Sequence, residues 1–173
     1  YERASATSRA LLNHWFRSDH VIPMTAGDGR TVMAPFRYYF SQREAVESAI
    51  WLYEVAHARD PYSLIKYAES GRVSPAMFTE DWPRYVMKLA TGAGKSKVIS
   101  LLMAWCYFHK TYEPDSDLST NFLLIAPNII VLDRLRQDFD GLKIFHADPI
   151  LPDNGYEGRD WDNDFQMTLH VQD

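Results

Sequence analysis

Apolar residues return at helical spacing along several stretches of the chain and gather into short continuous runs elsewhere. Between Ser8 and Phe16, Leu11, Leu12, Trp15 and Phe16 fall on one helical face, and the Ala26 to Arg30 turn, rich in glycine, then breaks the chain. Residues 1–34 therefore read as an N-terminal helical arm or hairpin. Ser41-Gln42-Arg43-Glu44 has the pattern of a capping box, with hydroxyl and carboxylate each satisfying the other residue's amide, so a helix is expected from Ser41. Its stripe of Ala45, Val46, Ala49, Ile50, Tyr53 and Ala56 keeps the helical period until Asp60-Pro61 ends it. The polar segment from there to Pro83 predicts short helices and loops, with Trp82 as a local anchor.

A different grammar begins at Arg84. Arg84 to Ala90 is a short β-compatible run, followed at once by a glycine-rich turn and an apolar helix from Lys95 to about His109. That helix is apolar nearly all round, which requires cover on most sides. After a polar linker, Phe122 to Ala126 is an unbroken apolar run of the kind buried on both faces of a parallel sheet, and Ile130 to Phe139 reads as a helix. Lys143 to Phe145 and Phe165 to Val171 predict two further strands, on either side of the acidic, glycine-containing stretch 148–164. Strands alternating with helices imply an α/β fold with a parallel sheet flanked by helices.

Composition narrows this picture only slightly. With 46% apolar and 14% aromatic residues in 173, the chain can bury a sizeable core. A net charge of −5 gives no whole-chain attraction to phosphate polymers, so any nucleic-acid contact must be local. The single cysteine, Cys106, excludes an internal disulfide and reads as a packing residue. The longest apolar run, Val98 to Phe108, is too short to span a bilayer, so the expectation is a protein without a membrane partner, cytoplasmic in location. The start at Tyr1 and the end just past a strand-like run suggest a piece of a larger protein and an incomplete domain.

The chemistry concentrates at Thr91-Gly92-Ala93-Gly94-Lys95-Ser96. Phosphate oxygens need several donors converging from one side, and a glycine turn feeding a helix N-terminus supplies them. Gly92 and Gly94 allow the turn; Lys95 would reach the outer phosphates as a mobile charge, and the Ser96 hydroxyl would ligate the bridging magnesium. Lys95 and Ser96 are thus the catalytic candidates, and Thr91, Gly92, Ala93, Gly94, Lys95, Ser96 and Lys97 the nucleotide-binding ones, with ATP and Mg2+ as cofactors. The strict phosphate-loop pattern wants a further glycine where Leu89 stands.

Several stretches together resemble the first RecA-like motor domain of superfamily-two helicases and translocases, and most closely the Res-type subunits of type III and related bacterial restriction enzymes. Lys88 to Ser96 resembles that family's motif I, Met-Ala-Thr-Gly-x-Gly-Lys-Thr, in which the early glycine is normally absent, so Leu89 fits. Phe36 to Val46 resembles the Q-motif region, in which Gln42 would recognise adenine. Leu123 to Leu135 resembles motif Ia, which implies that Pro127, Asn128 and Arg134 touch a nucleic-acid backbone; a helix N-terminus after a turn can offer amides to a phosphodiester independently of any family. The resemblance implies that residues 35–173 are the N-terminal portion of a P-loop NTPase motor domain whose partner is double-stranded DNA, with a methyltransferase or specificity subunit as a further partner. It also implies that the Asp-Glu box of motif II lies beyond Asp173 and that these residues alone hydrolyse ATP poorly.

Two alternatives stay open on the sequence. A P-loop ATPase acting on protein or a small molecule would explain the phosphate loop, though not Gln42 or the Ala-Pro-Asn turn. A nucleotide-responsive binding module is the non-enzymatic reading. The six histidines show no metal spacing, the acidic residues 153–164 match no cation loop and read as a solvated turn, and no lysine follows an acidic residue at the spacing a restriction nuclease centre needs.

Overall fold

The computed structural model describes residues 1–67 and 84–170. Helix α1 (Ala6–Arg17) starts under a side-chain cap, the Ser8 amide donating to the Ser5 hydroxyl at 3.1 Å. It is followed by an antiparallel ribbon of β1 (His20–Thr25) and β2 (Thr31–Phe36), in register from His20 opposite Phe36 to Thr25 opposite Thr31. The expected N-terminal arm is therefore half helix and half ribbon. Helix α2 (Phe40–Ile50) continues into a single π-helical turn, Trp51–Val55, and a short α3 (Pro61–Ile65) begins at Asp60, whose carboxylate caps Tyr62 and Ser63. Then come α4 (Lys95–Tyr112), α5 (Ile129–Phe139), α6 (Lys143–Ala147) and α7 (Trp161–Asp164).

Helices α1, α2 and α4 pack on one another around Leu11, Leu12, Trp15, Val46, Ile50, Leu101 and Phe108, all essentially inaccessible to solvent. Cover for the remaining faces of α4 comes from Phe139, Phe145, Ile150, Trp161 and Phe165. That answers the all-round apolar character of the helix: burying each such side chain contributes about 1.5–3 kcal/mol. Cys106, half-buried on α4, has its thiol pushed up to about 12 by burial, which keeps it protonated and inert. The stretch 148–164 is more than a solvated acidic turn, because Trp161 inserts fully into the core and donates its indole N–H to the Tyr156 carbonyl at 2.7 Å. Among the described residues no group of His, Cys, Asp and Glu is arranged to hold a metal ion, and no helix is long and apolar enough to cross a membrane.

Several expected elements differ. Among the described residues the sole sheet is the antiparallel β1–β2 pair, and no parallel pairing occurs among them. Residues 84–90 and 122–126 enter no hydrogen-bonded ladder. The latter run is covered on one face: Phe122 and Leu124 pack on the core while Leu123 and Ile125 are more than four-fifths exposed. Residues 143–145 lie in α6, because so short a run, with Ile144 and Phe145 its only apolar residues, fits a helical turn as well as a strand; 165–170 form no strand. The capping box is displaced by two residues: α2 starts at Phe40, and the side chain of Gln42 reaches back to the Tyr39 amide in place of the Ser41–Glu44 pair. The helix expected to reach Asp60 ends at the π-helical turn, after which His57 takes a left-handed conformation. Trp82, most of the segment before Pro83, and the last residues from Val171 lie outside the described residues.

Candidate functional site

Left-handed backbone at Gly92 (φ +82°) and Gly94 (φ +76°) turns the chain into the first turn of α4. Only glycine takes this geometry without strain. Gly94 is the N-cap and has no side chain to cap with, so the opening amides of an 18-residue helix face outward with its partial positive charge. Lys95 is exposed and its ammonium donates to the Ala90 carbonyl at 2.8 Å, which holds the charge over the mouth of the loop. Thr91 is exposed beside it, while Ala93 and Ser96 are half-buried. Uncapped amides, a lysine and a hydroxyl on one rim fit a phosphate chain with its magnesium.

Gln42 meets this loop from the side. It is almost completely buried; its Oε1 accepts from the Tyr39 amide at 2.9 Å and its Nε2 donates to the Ala93 carbonyl at 3.0 Å. A Cβ on Gly94 would meet that amide nitrogen, so a side chain there would have to displace the Gln42 amide as well as take a left-handed φ. Gln42 thus ties α2 to the phosphate loop. Lys97, expected among the phosphate contacts, points elsewhere: its ammonium pairs with Asp148 and lies 5.1 Å from the centre of the Phe36 ring.

Of the three residues expected to meet nucleic acid, Pro127 and Asn128 lead into α5 and Arg134 stands at its middle. Asn128 is its N-cap, Oδ1 accepting from the Val131 amide at 3.0 Å, with Pro127 exposed before it and Arg134 exposed on the helix. Ile129 and Ile130 beside them are exposed as well.

At the far end of α4 lies a polar hub that the sequence reading missed. The Glu54 carboxylate, carried inward by the π-helical turn, accepts from His109 Nε2 at 3.0 Å, from the Ser5 amide at 2.9 Å, from the Ser8 hydroxyl and from the Trp105 indole at 3.3 Å. His109 Nδ1 sits 2.6 Å from the Ser116 hydroxyl. Burial pushes the Glu54 carboxyl up, but the bonds from His109, Ser8 and Ser5 outweigh it and hold it down to about 2. These bonds clamp α1 and the π-helical turn to the C-terminal part of α4. The local signal for it was faint: two polar residues, His109 and Ser116, around the end of an apolar helix.

A family model described as the res subunit of type III restriction enzymes matches residues 35–168, from the end of the ribbon through the phosphate loop and α5 to the last described turn. No curated protein and no solved structure matches the chain. The family's helicase-like domain binds nucleotide on a P-loop fold, which agrees with the glycine turn and uncapped helix found here. On a match that covers most of its length, this chain belongs to the family of type III restriction enzyme res subunits.

Proposed function

We propose that residues 35–173 are the N-terminal portion of a RecA-like ATP-binding motor domain, preceded by an N-terminal arm over 1–34, in an ATP-dependent DNA translocase or helicase of a type III-like restriction enzyme. The single observation that carries this is the loop at Gly92 and Gly94, which delivers an uncapped helix N-terminus together with Lys95 and Ser96. Loop amides from Thr91 to Ser96 and the Lys95 ammonium bind the phosphates; the ammonium leaves the Ala90 carbonyl for a stronger, charge-assisted partner. Ser96 is the residue that would hold the magnesium arriving with the nucleotide, an ion that would supply charge neutralisation at the phosphates. Gln42 reads the base, its amide turning from Ala93 toward the adenine edge as nucleotide enters. Leu123 and Ile125 form the face on which the parallel sheet is completed. Pro127, Asn128 and Arg134 meet the backbone of double-stranded DNA, and a methyltransferase or specificity subunit supplies sequence recognition.

Calorimetry of Mg-ATP binding tests the site. Lys95→Ala is expected to abolish binding while leaving the thermal midpoint in place, and unchanged affinity would reduce the loop to a structural turn. Gln42→Ala should narrow the preference for ATP over GTP; an unaltered ratio leaves Gln42 as a tie for the loop alone. ATPase activity of the intact protein with and without duplex DNA tests the motor, and an activity indifferent to DNA would exclude it.

A further inference from the structure

We infer that Asp148 is a positioning residue for the phosphate loop, using Lys97 as a strut between itself and the first turn of α4, so that Lys97 is not a phosphate ligand. The inference rests on the nucleotide reading of the loop. Lys97 is the third residue of α4, adjacent to Ser96 but roughly a quarter-turn further around the helix. Its side chain is one-third exposed and its ammonium engages an Asp148 carboxylate that is only 13% exposed, with the Phe36 ring alongside. An ion pair this far from water fixes geometry more than a surface pair does.

The other end of the strut is anchored. Asp148 opens a turn in which the Ile150 amide donates to the Asp148 carbonyl at 2.7 Å. The next two carbonyls are both held by α1: that of Pro149 lies 3.1 Å from His14 Nε2, and that of Ile150 accepts from the buried Trp15 indole at 2.7 Å. Burial and the Asp148 charge push the Tyr38 hydroxyl upward, so it stays neutral, and it is buried without a hydrogen-bond partner among the described residues. A continuous path therefore runs from α1, through the Asp148 turn and Lys97, to the turn that carries Lys95 and Ser96. In the free loop Gln42 holds Ala93 as well, so the Asp148–Lys97 pair is the brace that persists once nucleotide engages the Gln42 amide. Bracing matters because donors aimed at phosphate lose effect when the helix end rotates by a few degrees.

Mg-ATP affinity of the intact protein, measured by calorimetry on wild type, Lys97→Gln, Asp148→Asn and the double variant, tests the assignment. Each single change should weaken binding by about five- to tenfold, and the double should be no weaker than the worse single, because both break one strut. Lys97→Arg and Asp148→Glu, which keep the pair, should restore affinity to within about twofold of wild type and serve also if a neutral variant folds poorly. Weakening by Lys97→Gln without weakening by Asp148→Asn, or losses that add in the double, would make Lys97 a direct phosphate contact and overturn the inference. Lys95→Ala run alongside separates the layers: if it binds normally, the phosphate-loop reading itself falls, whereas if it fails to bind and Asp148→Asn is unaffected, the strut alone falls.

Discussion

The two ends of α4 belong to one helix and are finished in opposite ways. At the C-terminal end, His109 Nε2 pairs with Glu54, the Trp105 indole donates to Ser8, His109 Nδ1 lies against the Ser116 hydroxyl, and Phe108 packs among Tyr112, Trp161 and Phe165. At the N-terminal end, a glycine cap leaves the first amides open and an exposed lysine rests on a backbone carbonyl. Buried donors without partners cost about 1–3 kcal/mol each, so a folding chain closes such groups wherever it can. An end left open at the surface is solvated and escapes that cost, and on a helix whose other end is closed so thoroughly it is the end available to the nucleotide proposed above.

The comparison predicts that stability resides at one end and binding at the other. Trp105→Ala should have the largest effect, a loss of about 3–5 kcal/mol in urea unfolding, since it removes a buried indole together with its bonds to Ser8 and Glu54. An equal loss from Lys95→Ala would erase the distinction between the ends. Glu54→Gln comes next, at about 2–3 kcal/mol, because it leaves His109 without its anionic partner. The pH dependence has a definite sign. Glu54 titrates lower in the folded state, at about 2, than its ordinary value of 4.5, so its stabilisation is complete above that value and disappears as pH falls toward 2. The thermal midpoint of wild type should drop over that window, and the Glu54→Gln midpoint should be flatter; parallel curves would remove Glu54 from the hub.

Glycine substitutions sharpen the comparison within the loop. Gly94→Ala meets both a left-handed φ and the Gln42 amide, so it should cost about 1–2 kcal/mol and eliminate Mg-ATP binding. Gly92→Ala has a similar φ and open space, and should cost about 1 kcal/mol with part of the affinity retained. Equal affinities in the two variants would mean that the Gln42 contact does not shape the loop.

How much of this was legible in the sequence depends on whether the information was local. The turn into α4 was legible because its left-handed backbone at Gly92 and Gly94 dictates the residue type. The burial of α4 was legible because an all-round apolar helix admits one solution. The start of α2 was nearly so: Gln42 at the third helical position caps as Glu44 would, which shifted the box by two residues. The Glu54 hub and the Asp148 strut were not legible, since their partners come from segments far apart in the chain and meet only after packing. The strand expectations at 84–90 and 122–126 rested on short apolar runs, whose composition does not specify a ladder partner.

The smallest predicted effect also tests the DNA assignment at the start of α5. Removing the cap with Asn128→Ala should cost about 1 kcal/mol, because the Val131 amide loses its acceptor. That loss alone would be uninformative, since a purely structural cap predicts it too. Asn128→Asp separates the roles: a carboxylate caps as well as the amide and suits the positive helix end, so stability should be kept or slightly raised. A negative charge there opposes a phosphodiester, so DNA-stimulated ATPase of the intact protein should fall while basal ATPase is retained. If Asn128→Asp is stimulated by duplex DNA as strongly as wild type, Asn128 caps a helix and the nucleic-acid contact must be sought elsewhere on the exposed face.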